Sequence, residues 1–219
     1  MNVPLPVERV AALDAEFGPM AVAAGGYAME LPGLTIREKC FTWIADDVCS
    51  GHLGLPFELH LQVARAAGTT WGELRAVLRH LAPYAGYPAV VEALARLGRY
   101  QGDEPDGTPS AAASAGQPPE PPGVDAEFGA WAAEQESVRW AASPLTPRER
   151  ALLCLAVDVL HQTLGAPMRA HVGAALAAGA GRDTLRALLR LMSELAMGKV
   201  WQAFETLEQH LAVLDGTHR

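Results

Sequence analysis

Adding 111 to a position in the first half of this chain lands on its counterpart in the second. The segment Asp14-Ala15-Glu16-Phe17-Gly18 returns as Asp125-Ala126-Glu127-Phe128-Gly129, and Arg37-Glu38 returns as Arg148-Glu149. Pro56, His60, Gly68 and Leu74-Arg75 return as Pro167, His171, Gly179 and Leu185-Arg186, with no gap from Asp14 to about Leu97. An internal duplication at constant spacing means that one supersecondary unit was copied, so whatever fold the first half takes, the second takes too. Units of roughly 95 residues bury too little of their apolar surface when isolated. With half of all residues hydrophobic, the two are expected to pack on each other or on further subunits.

The duplication divides the chain into a first unit at residues 1–100 and a degenerate second unit at residues 124–219. Between them, residues 101–123 are rich in Pro, Gly, Ser and Ala and nearly devoid of large apolar side chains. Such a stretch cannot offset its ordering entropy by burial and reads as a flexible linker.

Both units read as entirely helical, because neither contains a run with the two-residue alternation of a strand. Residues 4–30 carry helix-compatible sequence. Thr35-Ile36-Arg37-Glu38 is a capping box that opens a helix to about Ser50, and Thr146-Pro147-Arg148-Glu149 repeats it with proline at the first helical position. A third helix is expected over residues 56–67, stopped by Gly68, which suits a left-handed residue. Thr70-Trp71-Gly72-Glu73 is a further capping box for a helix through Leu81. Pro83 should kink or tighten that helix, and a last helix ends at Gly98. The fold class is therefore all-α, two tandem copies of one helical unit.

The net charge of −8 argues against a phosphate-backbone partner, which needs clustered Lys and Arg. The N-terminal residues lack the basic start and apolar core of a signal peptide, and no apolar run is long enough to cross a bilayer. A soluble, cytoplasmic protein is the expectation. Cys40, Cys49 and Cys154 are odd in number and include no CxxC, so reduced thiols packed as small hydrophobes are expected rather than disulfides or a zinc site.

Candidate chemistry gathers between Pro56 and Pro88. His60 shares a helix face with Val63, Ala64 and Ala67, small side chains that leave room for an imidazole to move a proton; a core histidine satisfied by one hydrogen bond is the competing reading. His171 repeats the arrangement beside Ala174, Ala175 and Ala178. His80, Tyr84 and Tyr87 fall at helical spacing on one stripe, able to donate hydrogen bonds to an enolate oxygen or simply to fill a core. Their counterparts are Leu191, Leu195 and Gly198, so only the first unit carries the full set. Glu38 is explained by its cap and can also orient a histidine. Asp46 and Asp47, the latter matched by Asp158, read as a solvated or interface face. Cys49 and His52 are unmatched in the second unit, where Leu160 and Thr163 stand, and they attract no role.

Arg37-Glu38, His60 to Gly68 and Glu73 to Pro88, which ends in the specific segment Ala82-Pro83-Tyr84-Ala85-Gly86-Tyr87-Pro88, together resemble the carboxymuconolactone decarboxylase family, within the wider alkylhydroperoxidase D-like group. The peroxidase-type relatives carry a CxxC ahead of the histidine. Here those positions are Leu53 and Pro56, or Leu164 and Pro167, so thiol-based peroxide reduction is not expected. The resemblance implies compact helical subunits in trimers or hexamers with pockets near subunit contacts, hence a dimer or homotrimer of duplicated chains. It also implies a cofactor-free, metal-free decarboxylase-like enzyme acting on a small carbonyl or lactone carboxylic acid through an enolate-type intermediate. His60 would shuttle the proton, Glu38 would orient it, Tyr84 and His80 would hold the oxyanion, and Trp43 and Tyr87 would contact the substrate. A divergent isomerase or cyclase, and a non-catalytic helical binding or scaffold protein, are the alternatives.

Overall fold

The computed structural model describes residues 7–110, 112–119 and 125–216; the remaining residues of the expected first helix, linker and C-terminus lie outside them. Ten helices make up the described structure, and no strand occurs among these residues, only an isolated bridge between Ser114 and Ser143. The first unit supplies α1 (Val7–Ala11), α2 (Phe17–Glu30), α3 (Ile36–Ser50), α4 (Leu55–Ala66), α5 (Trp71–Ala85) and α6 (Tyr87–Gln101). The second supplies α7 (Ala126–Trp140), α8 (Pro147–His161), α9 (Ala166–Ala177) and α10 (Arg182–Gly216).

Local chemistry explains most of these boundaries. The duplicated Asp-Ala-Glu-Phe-Gly starts a helix each time: Asp14 Oδ1 accepts from the Phe17 amide at 2.6 Å, and Asp125 Oδ1 accepts from the Phe128 amide at 2.8 Å. Thr35, Thr70 and Thr146 each close a full capping box with Glu38, Glu73 and Glu149. Gly51 ends α3 at φ 72°, a backbone shape that costs an L side chain energy. Pro83 sits inside α5 without ending it, and the helix runs to Ala85 before Gly86, at φ 98°, turns the chain into α6. In the second unit the same break is a single non-helical residue, Ala196, within α10.

α3 and α8 form the spine. From Glu38 to Val48 and from Glu149 to Leu160 every residue is buried, whichever way its side chain points. Each fully buried side chain such as Phe41, Ile44 or Leu153 stabilises the fold by about 1.5–3 kcal/mol. Asp46 and Asp47 are 6% and 0% exposed, so of the solvated or interface face expected for them the solvated alternative does not hold. A central helix covered by α4, α5 and α8 leaves it no wet side.

The units are interlocked through an approximate two-fold relation. Arg37 Nε meets Glu149 Oε1 at 2.5 Å, and Arg148 Nε meets Glu38 Oε1 at 2.6 Å, so each Arg-Glu pair of the duplication bonds to its own twin. Leading helices also cross over: α2 packs on α10, and α7 packs on α5. Leu191 of the second unit belongs to the first unit's core, with Leu195 packed against it, while Tyr84 of the first unit packs on the second's.

The described part of the 101–123 segment is tied to this body rather than loose. Its first residue, Gln101, completes α6. The Asp106 carbonyl accepts from the Gly72 amide at 2.8 Å, Ser110 donates twice to Glu73 Oε1, and the Gly116 amide donates to the Trp140 carbonyl at 2.9 Å. A segment poor in apolar side chains is held here by hydrogen bonds to helix termini. Gly116 lies so close to Trp140 that a Cβ there would stand 2.7 Å from the indole.

Candidate functional site: two histidine-aspartate pairs shared between the repeats

Both duplicated histidines are paired with the duplicated aspartate of the spine helix. His60 Nδ1 lies 2.7 Å from Asp47 Oδ2, and His171 Nδ1 lies 2.6 Å from Asp158 Oδ2. A carboxylate at Nδ1 holds the proton on that nitrogen and directs Nε2 outward as the atom that can give or take one. Burying a carboxylate is costly unless it is paired, so the wholly buried Asp47 and nearly buried Asp158 are explained by these imidazoles. Glu38 does not play this part. Its carboxylate is held by the Thr35 amide at 2.7 Å and by Arg148, because a capping glutamate folds back along its own helix end, away from the His60 face.

What surrounds each pair differs. The His60 ring stacks on Trp43 with centroids 5.5 Å apart and planes at 16°, and the Trp43 indole donates to Glu194 Oε1 of α10 at 2.5 Å. Burial pushes the Glu194 carboxyl up from its ordinary value, opposed by that indole bond and by His60 nearby. Leu191 and Leu195, the counterparts of His80 and Tyr84, join this side of the molecule. The His60 side chain keeps 24% exposure, whereas the His171 side chain keeps 8%.

The second pair collects the polar stripe of the first unit. Tyr84 presents its ring edge-on to His171 at 5.6 Å between centroids and 87° between planes. Its hydroxyl donates to Glu136 Oε2 of α7 at 2.5 Å and accepts from the Trp140 indole at 3.2 Å. Burial raises both the Tyr84 phenol and the Glu136 carboxyl above their usual ranges. His80 lies 5.5 Å from Tyr84 and 5.7 Å from Trp140, and its Nε2–H donates to the Arg150 carbonyl at 3.1 Å with Cys154 Sγ 3.3 Å away. Complete burial lowers the His80 imidazole to about 3, so it is neutral at any ordinary pH.

The expected set of His60, His80, Tyr84 and Tyr87 is thus divided. His80 and Tyr84 go to His171, and His60 remains with Trp43 and Asp47. Tyr87 is half exposed at the rim, donating to Gln135 at 2.5 Å and accepting from Arg139 at 2.9 Å. Leu191 and Leu195 do not fill the second unit's own hollow, because α10 reaches across to the first unit. Glu136, Glu194 and Trp140 were missed by sequence reasoning. Nothing local marks them, since each acquires its partner from the opposite half. Asp47 and Asp158, read from sequence as a solvated or interface face, were missed as histidine partners too, although both stand 13 residues before a duplicated histidine.

A groove of about 620 Å³ lies between residues 115–119, the start of α8 at Thr146 to Arg148, and the small face of α9 including Gly173 and Ala174, on the helix that carries His171. Trp140 lines it and also bonds Tyr84, which makes the indole a common wall between groove and polar cluster. A second concavity of about 450 Å³ lies at Arg65, Trp71 and Tyr100, with Glu58 and Glu104, among residues other than the two pairs. No described helix is long and apolar enough to cross a membrane.

The chain is similar over 98% of its length, and over 91% of the other's, to the crystal structure of a candidate gamma-carboxymuconolactone decarboxylase subunit from Burkholderia xenovorans, at 18% identity and a TM-score of 0.54. That likeness concerns the fold. Among proteins of curated function none matches. The family model for the carboxymuconolactone decarboxylase family matches twice, at residues 16–97 and 126–209, one match for each half of the duplication. With helices in the order the duplication requires and a histidine at the same place in each copy, the chain belongs to the carboxymuconolactone decarboxylase family, as two of its units in tandem.

Proposed function

We propose that this protein is a decarboxylase-like enzyme acting on a small carbonyl or lactone carboxylic acid, with His171 as the proton-transferring group of a site completed by the first unit. The observation that carries the reading is the edge-on meeting of Tyr84 with an Asp158-held imidazole. When a carboxylate leaves as carbon dioxide, its electrons pass to an adjacent carbonyl, and the resulting oxyanion needs donors already in place. Tyr84, whose phenol burial keeps protonated, can supply one when Glu136, whose carboxyl is raised by burial, carries a proton and donates to the Tyr84 oxygen instead of accepting from it. His171 Nε2 then returns a proton to carbon. Arg148 at the rim of the groove offers a cation to the substrate's carboxylate.

His60 keeps a dyad of its own and greater exposure, in a more apolar surround. The family context supports the decarboxylase-like reading; the substrate rests on the chemistry of the site. We also propose that copies of the chain associate. Exposed Phe17, Met20, Trp131, Met197 and Trp201 on α2, α7 and α10 support a self-contact, testable by sedimentation.

A thermal-shift screen of small keto and lactone acids, followed by carbon dioxide release from each hit, tests the reading. His171→Gln should lose turnover by at least about 100-fold, the scale of general acid-base catalysis, while His60→Gln retains most of it. The reverse pattern moves the chemistry to His60, and a screen without any ligand leaves a scaffold protein.

A further inference from the structure

Asp158 and Asp47 occupy equivalent places but are not equally satisfied. In the second unit Asp158 gives Oδ2 to His171, and Oδ1 accepts the Thr163 hydroxyl at 2.6 Å. In the first unit Asp47 gives Oδ2 to His60, and Oδ1 is buried with no hydrogen-bond partner among the described residues. The residue at the place of Thr163 is His52. Its backbone keeps the same shape, since the His52 amide donates to the Asp47 carbonyl at 2.8 Å just as Thr163 donates to Asp158 at 2.9 Å. Where the second unit sets a hydroxyl on this oxygen, the first has an imidazole that does not reach it, and the carboxylate is short of a partner. An unpaired buried acceptor is destabilising.

A second carboxylate borders the same gap. Asp46 accepts from Ser50 through Oδ1 at 3.0 Å and turns Oδ2 toward His52 Nδ1 at 3.8 Å. The second unit has Val157 there, so both Asp46 and His52 are peculiar to the first copy. One ligand atom from each of Asp46, Asp47 and His52 lies within 4.8 Å of the other two. Bonds of about 2.1 Å to a common tetrahedral ion would bring each pair of ligand atoms to about 3.4 Å. That asks for a small closing motion, and His52, with its side chain 58% exposed, is free to make it.

We propose that Asp46, Asp47 and His52 bind a divalent transition-metal cation of the zinc, cobalt or nickel kind. One imidazole with two carboxylates, completed by water, is a nitrogen-oxygen set suited to such ions. The ion supplies Asp47 Oδ1 with its missing partner and fastens the end of α3 to the turn that leads into α4. Through Asp47 Oδ2 it also steadies the His60 ring, so His60 becomes the metal-dependent histidine of the pair and His171 the metal-independent one. The site is separate from the His171 cluster, and its existence does not depend on what reaction that cluster performs.

Full-length protein stripped with a chelator and titrated with cobalt chloride tests this. The expected result is a visible absorption band that saturates at one equivalent, together with a melting temperature raised by zinc. His52→Thr restores the hydroxyl found in the second unit and so preserves the fold. It should bind at least about 100-fold more weakly, beyond the loss from an outer-shell partner, and its melting temperature should no longer respond to zinc. Asp46→Val, again the residue of the second unit, should behave alike. Absence of a cobalt band in the unaltered protein overturns the proposal, and so does a band that survives in both variants.

Discussion

Tyr84 and His171 come from different copies of the duplication and meet with ring centroids 5.6 Å apart at 87°. Because α5 of the first unit packs on α7 and α8 of the second, the polar stripe of one copy meets the histidine of the other. The two Asp-His pairs, identical in spacing, thereby receive different surroundings. One has a phenol, a second imidazole and Glu136; the other has an indole, two leucines and Glu194.

Tyr84→Phe deletes the donor to Glu136 and the acceptor for the Trp140 indole while keeping the ring. If the phenol holds an oxyanion, kcat should fall about 10- to 1,000-fold with KM little changed. Unaltered turnover in a folded variant would restrict Tyr84 to packing.

The reciprocal ion pairs between the repeats are unequal. Arg37 bridges two carboxylates, Glu149 at 2.5 Å and Glu73 at 2.8 Å, and its side chain is 18% exposed, whereas Arg148 serves Glu38 alone at 30% exposure. Arg37→Met strands two nearly buried charges and should cost about 2–3 kcal/mol in urea unfolding, below the range for fully buried pairs. Arg148→Met should cost about 1 kcal/mol. Equal losses would show that solvent screens both alike.

His80 should steepen acid unfolding. Its folded value of about 3 lies below the 6.5 of the free side chain, so the unfolded chain takes up a proton that the folded one refuses. The stability it contributes is whole above pH 6.5 and is lost as pH falls from there toward 3, by up to about 1.4 kcal/mol per pH unit. His80→Leu, matching Leu191, should flatten the stability curve by that slope between about pH 5 and 6. A curve with unchanged slope would mean that His80 is solvated.

All three thiols should resist modification at neutral pH. Burial pushes Cys40 and Cys49 up to about 12 and raises Cys154 well above its ordinary value, so almost none is thiolate, the reactive form. A disulfide reagent should find no fast-reacting thiol in the native protein and three after denaturation. Rapid labelling of the native chain, or thiol-dependent peroxide turnover, would contradict this.

What the sequence by itself determined was local. Capping threonines, turn glycines and the duplicated Asp14 and Asp125 set where helices begin and end, since those bonds span only a few residues. The spacing of 111 announced two copies of one all-helical unit, and the matched Asp47-His60 and Asp158-His171 pairs were already present in that register. Only the tertiary structure decided that α5 and α10 change sides. This sent Tyr84 to His171 and Leu191 and Leu195 toward the first unit's core, while the packing of α3 on α8 sent Glu38 to Arg148. The reason is that a duplicated sequence offers each surface two nearly identical partners, its own and its twin's, and local preference is the same for both. The choice rests on how α3 and α8 bury every face against each other, a property of the packed pair that neither copy carries alone.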